Sequence, residues 1–580
     1  MSSSLSKLFA AADKPRTKEQ SRLRTPLTLQ TLWPALGAAA LFIAVNLPLL
    51  FTGLPGEQTA RLVFPDARTQ QTAARDMAAL PNGLNAEDSG KFVPVSSSYK
   101  FGAHDYALHL ARRFLIQTVW PDEAQIIRAL LRVRPAEGRF NPHFYQYGSG
   151  AVYLMGASMK AGQWLGLYQN PGNLAVMMSD AKNLQRLWAM PRVLSLLCAA
   201  AAIVVIYLTV LPLWGLSSAV LAAFLLACAP AIILDLHYLK PYIQSVLAVS
   251  AIFYFLSKEG TKNLYFAAIC AGLATMILPT NGMFAVLVCL AAWARERRWQ
   301  TALLCALCAF AAFAVTDPWW FTSPREAIDE FRAVMSIPKQ PPDAIDRLPY
   351  LIKAPVVLVT LIWQTGAGYL AVFALGAAAW LKKRGSFAGL CLAMCGLAAL
   401  YLPLMRGAHY LLPLLPALIL LGVYGLSAIP AGRLKTALIT LLVIWNTAGA
   451  DFYLFTLNGF ENKRMQAGAW INKNIAAGSS IGTNETIAPG GFYPPFAVLN
   501  YTCMVFGPNG AGTGLEADEN NLPDYYIDTG KLHQDYAMPE LRHYKKEAEF
   551  RVTTHLDRLF KNTVFADISQ PLSIYKKASE

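Results

Sequence analysis

The chain has 580 residues, of which 55% are hydrophobic and only 15% are charged, and its mean hydropathy is +0.35. This composition excludes an ordinary soluble domain of the same length and indicates a polytopic membrane protein. The formal net charge is +14. The cations occur in short clusters between apolar runs, as they do in loops that orient membrane helices, so we do not expect nucleic acid as a partner.

The first 30 residues are polar and rich in lysine and arginine, and we expect them to form a cytoplasmic tail. The apolar run that follows, residues 34–50, begins too far from the N-terminus and is too long for the core of a cleaved signal peptide. This run is therefore predicted to be the first membrane-spanning helix.

A long segment, residues 52–192, is predicted to be an extracytoplasmic first loop with helices on the membrane surface. Residues 107–118 and 123–133 have apolar side chains at spacings of three and four residues, which is the pattern of an amphipathic helix. Residues 54–101 are rich in proline, glycine, serine and asparagine. We expect these residues to form an irregular insertion, and their composition indicates no role for it.

The remaining apolar runs predict a transmembrane module over residues 31–453. Residues 354–381 are long enough for one tilted helix, or for a surface helix joined to a span, and counting them once gives about 11 spans. We therefore predict a polytopic α-helical membrane protein. The other runs after the first loop are residues 194–213, 217–234, 243–256, 264–278, 283–293, 301–315, 387–404, 410–426 and 436–452.

The short loops between these spans differ in charge, which predicts the orientation of the chain. If the N-terminus is cytoplasmic, ten cations fall in short inner loops and two in short outer loops. Because lysine and arginine are enriched on the cytoplasmic side, we expect this orientation, with residues 316–355 and the C-terminal tail outside. In a bacterium, these parts would be in the periplasm and the spans in the inner membrane. The inner cations are Lys258, Lys262, Arg295, Arg297, Arg298, Lys382, Lys383, Arg384, Arg433 and Lys435, and the outer ones are Lys240 and Arg406.

The tail, residues 454–580, is less apolar and has the size of a small domain. Residues 465–474 have a helical pattern, and residues 480–482, 524–527 and 572–575 have the composition of short strands. We therefore predict a small extracytoplasmic α/β or α+β domain. The chain contains no P-loop, no HExxH sequence and no nucleotide-binding fingerprint.

Two adjacent acids, Asp122 and Glu123, follow Pro121 in the first loop. Proline suits the first position of a helix, and negative charge suits the positive end of the helix dipole, so this triplet is typical of a helix start. A carboxylate at the membrane surface can also act as a base on a hydroxyl group. The sequence leaves both interpretations open.

Ionisable residues inside or beside a membrane are costly, so those outside the charge-orienting loops are candidates for function. Acids and cations at one face would suit a substrate that has an anionic phosphate and a hydroxyl group to be deprotonated. Each candidate also has a structural interpretation, because arginine and lysine can reach lipid headgroups, histidine can be a hydrogen-bonded core residue, and tyrosine can form an interfacial belt. The candidates are Asp122, Glu123, His143, Arg192, His237, Lys240, Arg406 and His409, with Tyr145, Tyr147, Tyr238 and Tyr410 nearby.

The order of these features resembles the GT-C superfamily of polytopic glycosyltransferases, especially the family-39-like branch of protein O-mannosyltransferases and aminoarabinose transferases. The tail segment Ala467-Gly468-Ala469-Trp470-Ile471-Asn472 is also similar to the entry of related bacterial proteins into their outer domain. The chain departs from the family pattern at Trp120, Gly148 and Tyr242. The resemblance rests on Pro121-Asp122-Glu123 with Asn141-Pro142-His143-Phe144, on Met190-Pro191-Arg192, on His237-Tyr238-Leu239-Lys240-Pro241, and on His409-Tyr410-Leu411-Leu412-Pro413-Leu414-Leu415-Pro416.

This resemblance implies a GT-C-like fold and transfer of a sugar from a polyprenyl-phosphate carrier to a hydroxyl group of a glycan, lipid or protein, with inversion at the anomeric carbon. It assigns the catalytic base to Asp122 or Glu123. The residues expected to bind the phosphate or the sugar of the donor are His143, Tyr145, Arg192, His237, Lys240, Arg406, His409 and Tyr410.

A lipid-linked sugar transporter or flippase is the competing hypothesis. A transporter should have ionisable groups along a path through the membrane and internal repeats, whereas the candidates here collect at one face. No cofactor is expected. A divalent metal on Asp122 and Glu123 is not favoured, because no further acids are arranged around them.

Overall fold

The computed structural model describes residues 28–80, 103–116, 118, 121–170, 172–336, 349–365, 367–405, 408–483, 493–506, 516–517, 521–529, 543–552 and 570–578. In chain order the α-helices are α1 Leu29–Asn46, α2 Glu57–Val63, α3 Ala67–Ala79, α4 Ala103–Ile116, α5 Pro121–Arg132, α6 Ser149–Trp164, α7 Leu174–Ser179, α8 Ala181–Trp214, α9 Leu216–Ala227, α10 Pro230–Asp235, α11 Tyr242–Leu256, α12 Thr261–Ile277, α13 Gly282–Glu296, α14 Trp299–Thr316, α15 Trp319–Thr322, α16 Pro324–Ser336, α17 Tyr350–Thr365, α18 Ala367–Lys383, α19 Ser386–Met405, α20 Leu415–Ala428 and α21 Arg433–Asn474.

The chain is a polytopic helical membrane protein. Within the described residues, five helical segments are long and apolar enough to cross a membrane, and several shorter apolar helices lie among them. Residues 354–381, counted once from the sequence, lie in two helices, α17 and α18, so the predicted number of spans is not confirmed. The five long segments are Leu29–Phe51, Ala181–Trp214, Trp299–Thr316, His409–Ala428 and Arg433–Asn474.

The helix bundle is held together by close approaches at small residues. A Cβ atom on Gly272 of α12 would lie 2.2 Å from the carbonyl oxygen of Ala309 in α14. A Cβ atom on Gly376 of α18 would lie 2.3 Å from the carbonyl oxygen of Leu421 in α20. Without a hydrophobic drive between helices in lipid, such contacts supply van der Waals packing, so glycine at these positions stabilises both helix pairs.

The start of the first loop is helical, which corrects the expectation of an irregular insertion over residues 54–101. Helices α2 and α3 occupy much of its described part, residues 54–80. The carboxylate of Asp66 accepts a hydrogen bond of 2.8 Å from the amide of Thr69 and thereby caps the N-terminus of α3. Composition alone missed these helices because their apolar faces are short and are completed by packing against other segments. Residues 81–102 lie outside the described part of the chain.

A second hydrophobic core joins the first loop to the C-terminal domain. Phe114 of α4 packs edge-on against Phe496, with ring centroids 6.2 Å apart, and Met77, Ile471 and Ile481 belong to the same buried cluster. Helix α21 runs continuously from the membrane bundle into this domain. The first-loop helices and the tail are therefore packed as one unit.

The described residues of the tail form a mixed six-stranded sheet, which confirms the predicted small domain that contains both helix and strands. The strand order is β3-β2-β1-β4-β6-β5, with β1 parallel to β2 and β4, β2 parallel to β3, and β6 antiparallel to β4 and β5. The strands are β1 Ser480–Thr483, β2 Thr502–Phe506, β3 Glu516–Ala517, β4 Tyr525–Asp528, β5 Tyr544–Phe550 and β6 Leu572–Lys577.

Candidate functional site

Helix α5 begins at Pro121, so the triplet Pro121-Asp122-Glu123 is a helix start, as its composition indicates. The side chain of Asp122 lies outside the part of the chain that the structure describes. The side chain of Glu123 is fully buried. A carboxylate at this depth needs a partner, and the partners come from two other segments of the chain.

The carboxylate of Glu123 connects the first loop to two of the predicted motifs. Its Oε1 atom accepts a hydrogen bond of 2.7 Å from the amide of Leu239, and it lies 3.5 Å from Nη2 of Arg192. Burial raises the pKa of Glu123 to about 7, and the charge of Arg192 and the amide of Leu239 oppose this shift. Glu123 therefore holds three segments together.

Arg192 lies within α8 and is fully buried, so it does not anchor the start of a span in the lipid headgroups. Its Nη1 atom donates hydrogen bonds to the carbonyl oxygens of Leu50, at 2.9 Å, and Thr52, at 2.7 Å. These carbonyls lie at the end of the first membrane segment, Leu29–Phe51, and just after it. Arg192 thus joins that end to the acid of α5.

The turn between α10 and α11 carries His237 and Lys240. His237 is buried, and its Nδ1 atom lies 2.7 Å from the carbonyl oxygen of Ile233. A carbonyl can only accept, so Nδ1 carries the proton. Burial lowers the pKa of His237 to about 3, which keeps the ring neutral. The Nζ atom of Lys240 lies 5.6 Å from the ring centroid of Tyr238.

Aromatic rings extend this site toward the late helices. The ring centroid of Tyr242 lies 4.9 Å from that of His409, 5.7 Å from that of Tyr410 and 6.1 Å from that of Tyr147. Tyr242 and Tyr147 are buried, which places these two rings within the protein and not in a lipid-facing belt. The His237–Pro241 and His409–Pro416 motifs therefore meet at the first turn of α11.

His143 and Tyr145 form a second group beside an acidic helix. The Nδ1 atom of His143 donates to Glu326 of α16, at 2.8 and 3.0 Å from its two carboxylate oxygens. The hydroxyl group of Tyr145 donates to Glu326 at 3.1 Å, and the amide of Tyr145 donates to Glu330 at 3.0 Å. His143 also has a positive φ of 48°, a conformation that is uncommon outside glycine.

The two groups are linked through the loop that follows His143. The ring of Phe144 packs edge-on against that of Tyr147, with centroids 5.5 Å apart, and Tyr147 in turn packs on Tyr242. The structure describes no hydrogen bond between His143 or Tyr145 and the pair formed by Glu123 and Arg192. The predicted residues therefore form a buried ionic group and an acid–histidine group, joined by aromatic packing.

Gly148, one of the departures from the family pattern, has a specific role in this loop. Its amide donates a hydrogen bond of 3.2 Å to the carbonyl oxygen of Ile277. A Cβ atom at this position would lie 1.8 Å from the carbonyl oxygen of Met276. A proline here would lose the hydrogen bond and clash with α12, so this chain requires glycine.

Four acids at the site were not singled out from the sequence: Asp235, Asp317, Glu326 and Glu330. Asp235 is buried at the end of α10, and Asp317 accepts hydrogen bonds from the amide of Ser149, at 3.0 Å, and from its hydroxyl group, at 2.5 Å. Burying an acid beside a membrane is costly, as burying a cation is, so the rule that selected the cations should also have selected these acids. All four acids lie in loops that the sequence predicts to be on the outer side of the membrane, and this location could have identified them as candidates.

One predicted binding residue, Arg406, and one departure from the family pattern, Trp120, cannot be compared with the structure, because both lie outside the described residues. Among the residues that are described, no group of three or more histidine, cysteine, aspartate or glutamate side chains is arranged to hold a metal ion.

Solved structures that match the chain include ArnT, an oligosaccharyltransferase and an arabinofuranosyltransferase. ArnT from Cupriavidus metallidurans bound to undecaprenyl phosphate is 12% identical over 94% of this chain and 98% of its own, with a TM-score of 0.43. The apo oligosaccharyltransferase of Archaeoglobus fulgidus is 12% identical over 80% of this chain and 69% of its own, with a TM-score of 0.35. The arabinofuranosyltransferase AftD from Mycobacteria is 16% identical over 89% of this chain and 40% of its own, with a TM-score of 0.35.

No protein-family model and no curated protein sequence matches the chain. At these TM-scores the similarity assigns no role to any residue, so a function must rest on the residues of the site.

Proposed function

We propose that this protein is an integral-membrane, inverting glycosyltransferase that moves a sugar from a polyprenyl-phosphate carrier to a hydroxyl group of an acceptor on the outer face of the membrane. One observation carries this proposal. Glu123 is bonded to both Arg192 and the amide of Leu239, the residue before Lys240. An acidic helix start is thereby held beside a cationic turn, which suits a phosphate-linked donor and a hydroxyl acceptor.

The proposed chemistry is a single displacement. The base takes the proton of the acceptor hydroxyl group, and the acceptor oxygen forms a bond to the anomeric carbon of the sugar. The bond from that carbon to the phosphate oxygen breaks on the opposite side, which inverts the configuration. The polyprenyl phosphate leaves as an anion, and Lys240, Arg406 or His409 would stabilise its charge.

Asp122 is the proposed catalytic base, and Glu123 is the proposed positioning residue. Both oxygens of Glu123 are buried, and one of them already accepts the hydrogen bond from Leu239. Glu123 would therefore act through the turn that carries Lys240, without contacting the acceptor. His143, Tyr145, Arg192, His237 and Tyr410 remain proposed binding or positioning residues around the donor.

The test is to purify Asp122→Asn and to identify the co-purifying lipids by mass spectrometry. We expect sugar transfer to fall by roughly 10²- to 10⁴-fold, because the general base is lost. A polyprenyl-phosphate sugar should then remain bound. Asp66→Asn is the matched control, since asparagine can also cap α3 from this exposed position of the first loop.

Two further variants separate the proposed roles. We expect Glu123→Gln to raise the KM for the donor more than it lowers kcat, because it disturbs the Leu239–Lys240 turn. Lys240→Ala should weaken donor binding. Parental turnover in both Asp122→Asn and Glu123→Gln would contradict the proposal, and movement of a lipid-linked sugar across the bilayer without transfer would favour a flippase.

A further inference from the structure

Asp235 is a buried acid on the turn that carries Lys240, and the fold does not explain it. Its side chain is 3% exposed, and its Oδ2 atom has no hydrogen-bond partner within the described part of the chain. It is also the last residue of α10. A carboxylate at this end of a helix faces the negative pole of the helix dipole, so its position does not stabilise it either.

Other buried acids of the site have structural partners for at least one carboxylate oxygen, although Oε2 of Glu123 has none among the described residues. Glu123 is bonded to Arg192 and to the amide of Leu239, and Asp317 is bonded to both the amide and the hydroxyl group of Ser149. A buried carboxylate oxygen that is left without a donor is costly. Asp235 therefore differs from Glu123 and Asp317 in that no side chain or amide of the described residues donates a hydrogen bond to its carboxylate.

The surroundings of Asp235 are those of the proposed donor site. The charge of Lys240 and the hydroxyl group of Tyr242 both lie within electrostatic range of its carboxylate. Helix α10 also packs against the turn Ala408–Leu414, which brings His409 and Tyr410 to the same place. Asp235 is thus five residues from the proposed phosphate-binding lysine and next to the aromatic group around Tyr242.

A buried carboxylate at Asp235 and a cation at Lys240 together favour a ligand that carries hydroxyl groups close to a phosphate. An ionised carboxylate can only accept hydrogen bonds, so its partner must carry O–H or N–H groups. In a polyprenyl-phosphate sugar, the sugar hydroxyl groups lie one ring away from the phosphate. A phosphate at Lys240 would therefore bring such a hydroxyl group within reach of Asp235.

We propose that Asp235 is a specificity-determining residue that accepts a hydrogen bond from a hydroxyl group of the transferred sugar. This inference rests on the proposed function, because it takes the phosphate of the donor to lie at Lys240. It assigns to Asp235 the recognition of the sugar and leaves the recognition of the lipid phosphate to the cations.

The experiment measures binding of bare undecaprenyl phosphate and of a panel of undecaprenyl-phosphate hexoses and pentoses to the full-length protein in nanodiscs. In the parental protein, at least one sugar-bearing lipid should bind more tightly than the bare lipid. Asp235→Asn and Asp235→Ser should reduce this preference by about tenfold or more while binding of the bare lipid stays unchanged. Using both variants keeps the test valid if one of them does not fold.

Asp180→Asn is the matched control, because this exposed residue caps α8 through the amide of Asn183 and asparagine can do the same. A preference for the sugar that persists in both Asp235 variants would overturn the inference. Equal loss of the bare and the sugar-bearing lipids would also overturn it, since Asp235 would then only position Lys240. A parental protein that binds none of these lipids would instead contradict the proposed function, together with the inference built on it.

Discussion

Glu123 and Asp235 are two buried carboxyl groups beside the Leu236–Pro241 turn, and their environments differ. Burial raises the pKa of each to about 7. Arg192 opposes this shift at Glu123, and Lys240 opposes it at both residues. Both acids therefore change charge near neutral pH, which links the protonation of the site to the stability of the fold.

This linkage predicts that Glu123 and Asp235 contribute less to stability as the pH rises from 5 to 8. The buried residues His109 and His237, whose pKa values burial lowers to about 3, act in the opposite sense below pH 6.5, so the contribution of Asp235 must be measured as a difference between variant and parent. In the unfolded chain the two carboxyl groups titrate near pH 4, so between about pH 4 and pH 7 the folded state holds the extra protons. Their contribution to stability is complete below the unfolded pKa and is lost as the pH rises through 7. For Asp235 it amounts to at most about 4 kcal/mol. The measurement is the midpoint temperature of unfolding in detergent at each pH.

Asp235→Asn should become more stable relative to the parent as the pH rises from 5 to 8, because the asparagine acquires no buried charge, whereas Asp180→Asn should follow the parental profile. A difference between the midpoints of Asp235→Asn and the parent that stays constant from pH 5 to 8 would show that Asp235 does not titrate as its burial implies.

At the scale of elements, helix α16 holds the loop that joins α5 to α6. Glu330 accepts hydrogen bonds from the amides of Tyr145 and Gln146, at 3.0 and 2.9 Å, while Glu326 binds the side chains of His143 and Tyr145. From the other side, Arg132 donates a hydrogen bond of 2.6 Å to the carbonyl oxygen of His143. The conformation of this loop therefore depends on the acids of α16.

We predict that Glu330→Ala exposes the amides of Tyr145 and Gln146 to exchange. Each hydrogen bond to a charged group contributes roughly 1.5–3 kcal/mol, so exchange of these amides should be at least about tenfold faster. Hydrogen exchange followed by mass spectrometry of peptides spanning residues 141–148 measures this change. Asp329→Ala is the control, because Asp329 is exposed and its ion pair with Arg332 is 3.9 Å long. Equal exchange rates in the two variants would rule out this role for Glu330.

At the scale of the whole molecule, the two largest hydrophobic cores of the described residues lie inside the helix bundle and between the first loop and the tail domain. Arg464 of α21 donates hydrogen bonds of 3.2 and 3.1 Å to the carbonyl oxygen of Tyr493, which ties the end of the long helix to the second core. The first-loop helices therefore depend on the tail domain for the burial of their apolar faces.

We predict that Phe496→Ala destabilises the tail and α4 together. Phe496 is 2% exposed and packs against Phe114 and Tyr501, so its truncation should cost about 3–5 kcal/mol. Limited proteolysis with mass spectrometry should show new cleavage in both regions. Phe455→Ala is the control, because this residue of α21 is 57% exposed. Cleavage confined to the tail would contradict a shared core.

The sequence by itself determined the features that depend on local pattern. Long apolar runs require membrane spans, Pro121 followed by two acids starts a helix, and short apolar stretches in the tail form strands β1, β4 and β6. These features follow from hydropathy and backbone preference within a few residues. Hydropathy did not determine the number of spans, because residues 354–381, counted once from the sequence, belong to two helices.

Only the tertiary structure decided which side chains meet. Glu123 pairs with Arg192 across 69 residues and with Leu239 across 116, and His143 binds Glu326 across 183. No local pattern distinguishes a buried partner from an exposed one, because burial is created by packing of distant segments. For the same reason, Asp235 became a candidate only when α10 was found packed against Ala408–Leu414, with no donor for its Oδ2 atom within the described residues.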